Sequence, residues 1–169
     1  MHYSRHYANI LLFEFYWGDQ FLKICLTCSA GGHLSEILQL KRIFSKYNHY
    51  FVTFKRYDTE ELKKNEKAYF VERPGRNPLK FIVNFFQSLV IFLREKPDLV
   101  ISIGADVTVP TCYLAKLFGK KIIFIESFCR TKSPSLSGRL IYPIADLFIV
   151  QWEGLEKFYK KSVLGGPIF

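Results

Sequence analysis

"KICLTCSAGGHLSEILQLKRIF", residues 23–44, is the stretch that decides the fold. It opens with a short apolar run of the kind that makes a buried strand. The run breaks at Ser29-Ala30-Gly31-Gly32-His33. Leu34, Ile37, Leu38, Leu40, Ile43 and Phe44 then fall at helical spacing over 34–47, with Glu36 in the first turn, where a carboxylate suits the positive end of the helix dipole. A strand that passes through a glycine turn into an amphipathic helix is the start of a β-α-β unit. Glycines at that junction let a backbone approach a phosphate, and the helix N-terminus offers free N–H groups. The motif is neither a Walker A loop nor a full G-x-G-x-x-G. His33 either begins the helix or acts as a base or as a donor to a phosphate.

The same alternation continues along the chain. "HYFVTF" (49–54), "AYFVE" (68–72), "DLVISIG" (98–104), "KKIIFIE" (120–126) and "DLFIVQ" (146–151) read as strands. Helical patterns at 57–67, 79–97, 109–119, 136–145 and 152–160 separate them. Strands divided by helices predict an α/β, Rossmann-like parallel sheet with helices on both faces. Ligands of such sheets lie at the carboxyl ends of the strands. Residues 29–33, 104–108 and 126–135 are therefore the loops to watch. Gly104 and Asp106 close one strand. Glu126, Ser127, Arg130 and Lys132 follow another. Glu126 would bind a sugar hydroxyl or hold its own loop, and Arg130 and Lys132 would meet phosphate or sit in solvent.

The totals agree with a folded domain and narrow its partners. In 169 residues, 49% are hydrophobic and 17% aromatic, which excludes a disordered chain. The net charge of +9 and a pI near 9.4 suit nucleic acid, anionic lipid or a phosphorylated substrate. No nucleic-acid-binding signature is present, so lipid or phosphorylated substrate is expected. Cys25 and Cys28 form a C-x-x-C, but they sit in an apolar strand with no second pair, so buried thiols are expected and no metal or cofactor. Residues 1–21 read as an N-terminal extension, interfacial in character around "ANILLFEFYW" (8–17), ahead of a domain over 22–169.

The helix at 79–93 has two apolar stripes. Leu79, Ile82, Val83, Phe86, Leu89, Val90 and Leu93 share one face and read as the core stripe. Phe81, Phe85 and Phe92 form a second, with Lys80, Asn84 and Gln87 in the remaining arc. The second stripe is either buried too or a membrane contact. Arg73, Arg76, Lys80, Arg94 and Lys96 flank the helix, as an anionic membrane surface would favour.

"KICLTCSAGGHLSEILQL", "PDLVISIGADVTVPTCYLAKLFGKKIIFIESFCR" and "VQWEGLEKFY…GGPIF" together resemble one family over residues 22–169. It is the membrane-associated subunit of split GT-B glycosyltransferases, which in eukaryotes anchors the transferase adding the second N-acetylglucosamine to dolichol-linked precursors. Its microbial counterparts serve capsule and exopolysaccharide assembly. The resemblance implies a domain equivalent to the N-terminal, acceptor-binding half of a GT-B enzyme. A separate subunit would supply the UDP-sugar site. It implies a polyprenyl-pyrophosphate-linked sugar as acceptor, at the cytoplasmic face of a membrane, with no metal. Ser29, Gly31, Gly32, Gly104, Glu126, Ser127 and Arg130 would shape the acceptor site, and His33 would bind or deprotonate the acceptor. Phe81, Phe85, Phe92 and Lys80 would touch the membrane. Trp152, Gly165, Gly166 and Pro167 would face the partner. The sequence departs from the family at Asp106, where a small residue is usual and a carboxylate would repel phosphate. A purely non-catalytic membrane adaptor is the alternative role.

Overall fold

The structure, a computed structural model, describes residues 22–168. The extension at 1–21 lies outside the described residues, so its interfacial reading has no counterpart here. Seven strands form one sheet: β1 (Lys23–Thr27), β2 (Asn48–Thr53), β3 (Ala68–Phe70), β4 (Leu99–Ser102), β5 (Lys121–Ile125), β6 (Leu147–Val150) and β7 (Val163–Leu164). The order is β3-β2-β1-β4-β5-β6-β7, and every pairing is parallel. Strand order thus reverses between β1 and β4, which opens a crevice at their carboxyl ends.

Alternation along each strand sends side chains to two cores. Ile24, Leu26, Phe51, Leu99 and Ile101 pack with Leu34, Ile37 and Phe44 on one face. Cys25, Tyr50, Val52, Val100, Ile122 and Phe124 pack with Ile91, Phe92 and Leu114 on the other. Burial pushes the Cys25 and Cys112 thiols up to about 12, and Cys28 higher still, so these sulfurs are inert packing groups.

The helices are α1 (Gly32–Gln39), α2 (Lys41–Phe44), α3 (Tyr57–Asn65), α4 (Pro78–Glu95), α5 (Val109–Leu117) and α6 (Leu136–Ile141). The single helix expected over 34–47 is two, because the chain turns at Leu40 before Phe44 enters the core. The helix expected at 152–160 shrinks to a 3-10 turn at Glu153–Leu155. The edge strand β7 falls in a stretch for which the sequence predicted no strand.

α4 reverses the sequence expectation. Ile82, Val83, Phe86 and Leu93, assigned to the core, are exposed, and Leu79 and Val90 expose 72% and 66% of their surface. Phe92, assigned to a membrane contact, is buried, and Phe85 packs against the core cluster. The inward face is instead built on Asn84 and Ser88. Asn84 Nδ2 donates to the carbonyls of Glu72 (2.7 Å) and Val107 (3.3 Å), and Ser88 Oγ donates to Asn84 Oδ1 (3.0 Å). Thr111 Oγ1 on α5 donates to Ser88 Oγ at 3.4 Å. Buried polar groups with full hydrogen bonding cost little, so a polar ridge can face inward and leave an apolar one outside. Lys80 is exposed and pairs with Glu72 at 2.7 Å. No helix among the described residues is long and apolar enough to cross a membrane.

Candidate functional site

The loops after β1, β4 and β5 meet over the crevice. They border a cleft of about 800 Å³ whose walls include Gly32, His33, Arg73, Arg76, Asp106, Ser127 and Arg130. Arg73 approaches Asp106 at 4.0 Å and lies over the Phe54 ring. Arg76 and Arg130 have no carboxylate partner among the described residues. The first-turn N–H groups of α1 open beside them, so charge and dipole would both favour an anion in this cleft.

The glycine loop works differently from the sequence expectation. Gly31 adopts φ +82° and its N–H donates to Asp58 Oδ2 at 2.7 Å, so that amide is occupied. A Cβ there would also come within 3.3 Å of Arg56. Gly31 is a turn residue rather than a phosphate ligand. Gly32 is exposed with open space around it. Ser29 is buried and reaches His33, not the cleft: Ser29 Oγ and His33 Nδ1 are 2.9 Å apart. Ser29 Oγ also lies 3.3 Å from the Ala30 carbonyl; in the tautomer where Nδ1 donates to Ser29 Oγ, the Nε2 keeps its lone pair. Burial holds the imidazole below its ordinary pKa of 6.5, and Arg130 lowers it further, against the opposing pull of Glu36 and Glu126. A neutral, oriented imidazole in an arginine-lined cleft can accept a proton.

Glu126 does not line the cleft. It is buried and accepts from Ser127 N (3.1 Å), Ser135 N (3.1 Å) and Tyr159 Oη (2.9 Å). It therefore holds its own loop, one of its two sequence readings. Gly138 is what lets this happen, because a Cβ there would strike the Glu126 carboxylate and Tyr159 Oη. Gly104 is buried too. Its N–H goes to Ser102 Oγ at 3.1 Å, and a Cβ would meet Ser137 Oγ and the Phe124 ring, so close packing and φ +92° explain it rather than a ligand. Ala105 beside it has φ +82° and donates to Ser137 Oγ at 3.1 Å, a strained non-glycine position at the cleft wall. Asp106 accepts from Gly75 N at 2.7 Å and so ties the 73–77 loop across the cleft mouth.

Sequence reasoning missed Glu36. It is 2% exposed, and because the helix starts at Gly32 it lies beyond the first turn where the sequence placed it. Its carboxylate accepts from Phe128 N (2.5 Å), Ser127 Oγ (3.3 Å) and Gln151 Nε2 (2.7 Å). Gln151 also donates to the Glu126 carbonyl (3.0 Å) and accepts from Ile168 N (3.0 Å). Two buried carboxylates and one amide thus position Ser127 and Arg130. No local pattern marks Glu36, since its partners are 91 to 115 residues away.

Trp152 donates from Nε1 to the Phe128 carbonyl at 2.7 Å, so its indole also braces that loop. Gly165 and Gly166 follow β7 at the sheet edge. The Gly165 N–H donates to the Val150 carbonyl at 2.9 Å, and Gly166 and Pro167 continue past it, half-buried. Among the described residues no cluster of three or more His, Cys, Asp or Glu is arranged to hold a metal.

This architecture has known counterparts. The Acinetobacter baumannii MurG structure superposes with a TM-score of 0.65 at 16% identity, over 76% of this chain and 41% of that one. A Rickettsia bellii UDP-N-acetylglucosamine 2-epimerase gives a TM-score of 0.72 at 15% identity, over 88% and 45%. The fold is that of the GT-B group, and the chain spans less than half the length of these solved structures. Residues 74–168 match the family described as oligosaccharide biosynthesis protein Alg14 like. The chain belongs to that family. The human UDP-N-acetylglucosamine transferase subunit ALG14 is 31% identical over 87% of this chain and 83% of its own length. The mouse protein of the same name is 32% identical over 94% and 93%. The stretch from Arg76 to Gln151, which carries most of the cleft, lies within the matched segment of this Alg14-like chain, while His33 and Glu36 lie before it.

Proposed function

We propose that this chain is the acceptor-binding subunit of a two-component, UDP-sugar-dependent glycosyltransferase that works on a polyprenyl-pyrophosphate-linked sugar at the cytoplasmic face of a membrane. Its relatives' description as UDP-N-acetylglucosamine transferase subunits supports a glycosyltransferase subunit. The observation that carries the finer reading is the cleft: His33, oriented by Ser29, shares it with Arg73, Arg76 and Arg130. Arginines suit a pyrophosphate, and the imidazole is set to accept the proton of an attacking sugar hydroxyl. The donor nucleotide sugar would come on a partner subunit, meeting this chain at the β7 edge near Gly165, Gly166 and Pro167. The exposed apolar face of α4 supports membrane contact, with Phe86 and Val90 replacing the half-buried Phe85 and the buried Phe92 in that role.

The test is sugar transfer from UDP-N-acetylglucosamine to a polyprenyl-pyrophosphate-linked acceptor by this chain alone, the donor-binding subunit alone, and both. Activity requiring both supports the reading. Activity of this chain alone rejects it. Full activity of the pair with His33→Ala would favour the second role, a non-catalytic adaptor that recruits the other subunit.

A further inference from the structure

We infer that an apolar groove beside the arginine cleft is a lipid-chain subsite, holding the first carbons of the hydrocarbon chain of a phosphorylated lipid whose phosphate lies in the cleft. The inference rests on the acceptor reading above and adds where the chain goes. The groove measures about 290 Å³ and is walled by Pro74, Pro78, Phe81, Val109, Leu136 and Leu140. It shares Arg76, Asp106, Leu136 and Ser137 with the cleft, so the two spaces adjoin. The polar groups at the junction leave a cation in charge of it: Asp106 is engaged by Gly75 N–H and Val107 N–H, while Arg76 has no carboxylate partner among the described residues.

The groove's far side explains the occupant. Phe81 stands where the groove meets the exposed face of α4, and Leu136 and Leu140 on α6 remain 66% and 42% exposed across from it. Such side chains gain nothing from water, and a free phosphate in the cleft would leave them uncovered. A hydrocarbon chain attached to that phosphate covers them. It leaves the cleft past Arg76, runs between Phe81 and Leu140, and emerges onto the apolar face of α4. Each methylene so buried strengthens binding about fourfold (about 0.8 kcal/mol).

The experiment measures binding of inorganic pyrophosphate, geranyl pyrophosphate and farnesyl pyrophosphate to the full chain, below the micellar range of the prenyl compounds. The readouts are calorimetry and protection of Cys129, the one exposed cysteine, which lies in the cleft wall, from a maleimide. Geranyl pyrophosphate should bind at least tenfold tighter than inorganic pyrophosphate. Leu140→Trp, which fills the groove without touching the cleft, should erase that gain and leave inorganic pyrophosphate affinity unchanged. Leu140→Asp, which makes the wall polar, should do the same. Equal affinity for all three ligands overturns the subsite while leaving the cleft reading intact. A chain-length gain that survives both variants also overturns it and moves the chain elsewhere, onto α4. Failure of any ligand to bind or to protect Cys129 rejects the anion cleft itself, and the groove with it.

Discussion

His33 shows how neighbours that the local sequence does not reveal set a residue's orientation and charge. A Gly-Gly-His turn suggests a phosphate loop, but Asp58 already takes the Gly31 amide, and the loop's product is an oriented imidazole. Because burial depresses its pKa below 6.5, His33 is neutral at pH 7 and gains a proton only as the pH falls. The acid limb of kcat/KM for the assembled transferase should therefore lie below pH 6.5, and the limb should vanish along with most of the rate, about 100-fold or more, in His33→Ala. An unchanged limb in the variant would assign it to another group. Glu36 makes the complementary case. Its three donors come from residues 127, 128 and 151, so nothing around position 36 announces it. Glu36→Gln turns one acceptor oxygen into a donor facing other donors. Hydrogen bonds to a charged group are worth about 1.5–3 kcal/mol, so the 127–135 loop should loosen and Cys129 should react several-fold faster with a maleimide. An unaltered rate would mean that Glu126 and Trp152 hold the loop without Glu36.

At the scale of elements, the strands and most helices are legible because period-two and 3.6-residue patterns depend on adjacent residues. What a helix faces is not legible in the same way. α4 carries two apolar stripes, and the wheel alone gives no reason to bury the ridge bearing Asn84 and Ser88. The reason lies on other elements, in the Glu72 and Val107 carbonyls that satisfy Asn84. The two-helix break at Leu40 and the strand at Val163–Leu164 escaped for the same cause, since each is set by what it packs or pairs with. The corrected faces separate two kinds of mutation. Phe86→Glu with Val90→Glu places charges on the outer face. It should cut sedimentation with anionic liposomes at least tenfold and leave the melting temperature within a few degrees. Phe92→Ala removes a buried ring stacked on Phe118 and should cost about 3–5 kcal/mol of stability with no specific effect on liposome binding. If the outer-face pair sediments like the unaltered chain, α4 is not the membrane contact.

Taken whole, the molecule divides its labour between the two ends of one sheet. The Rossmann-like order follows from a sequence in which strands and helices alternate, and the crevice follows from the order. The cleft lies at the carboxyl ends, where His33 in the first turn of α1 meets Arg76 and Arg130 on loops. The amino ends carry a different device, on the side of the sheet away from the cleft. Glu95, the last residue of α4, is buried there and accepts from Lys23 at the start of β1 (2.7 Å), from Lys67 (2.8 Å) and from Tyr69 Oη in β3. Burial alone would raise its pKa, but the hydrogen bonds from Lys23, Lys67 and Tyr69 prevail and hold it at about 2, against an ordinary 4.5. A carboxyl whose pKa falls on folding stabilises the fold fully above its unfolded pKa, and that stability drains as the pH drops toward the folded value. The window here runs from about 4.5 down to about 2. At about 1.4 kcal/mol per pKa unit the contribution reaches at most about 3 kcal/mol, less whatever solvent screens at the half-exposed Lys67. Urea unfolding at pH 7 should find Glu95→Gln less stable than the unaltered chain. Repeated at steps down to pH 3, the unaltered chain should lose about half of its advantage and the two curves should draw together. Curves that stay parallel across that range would show that Glu95 holds its partners by shape and neutral hydrogen bonds, not by charge.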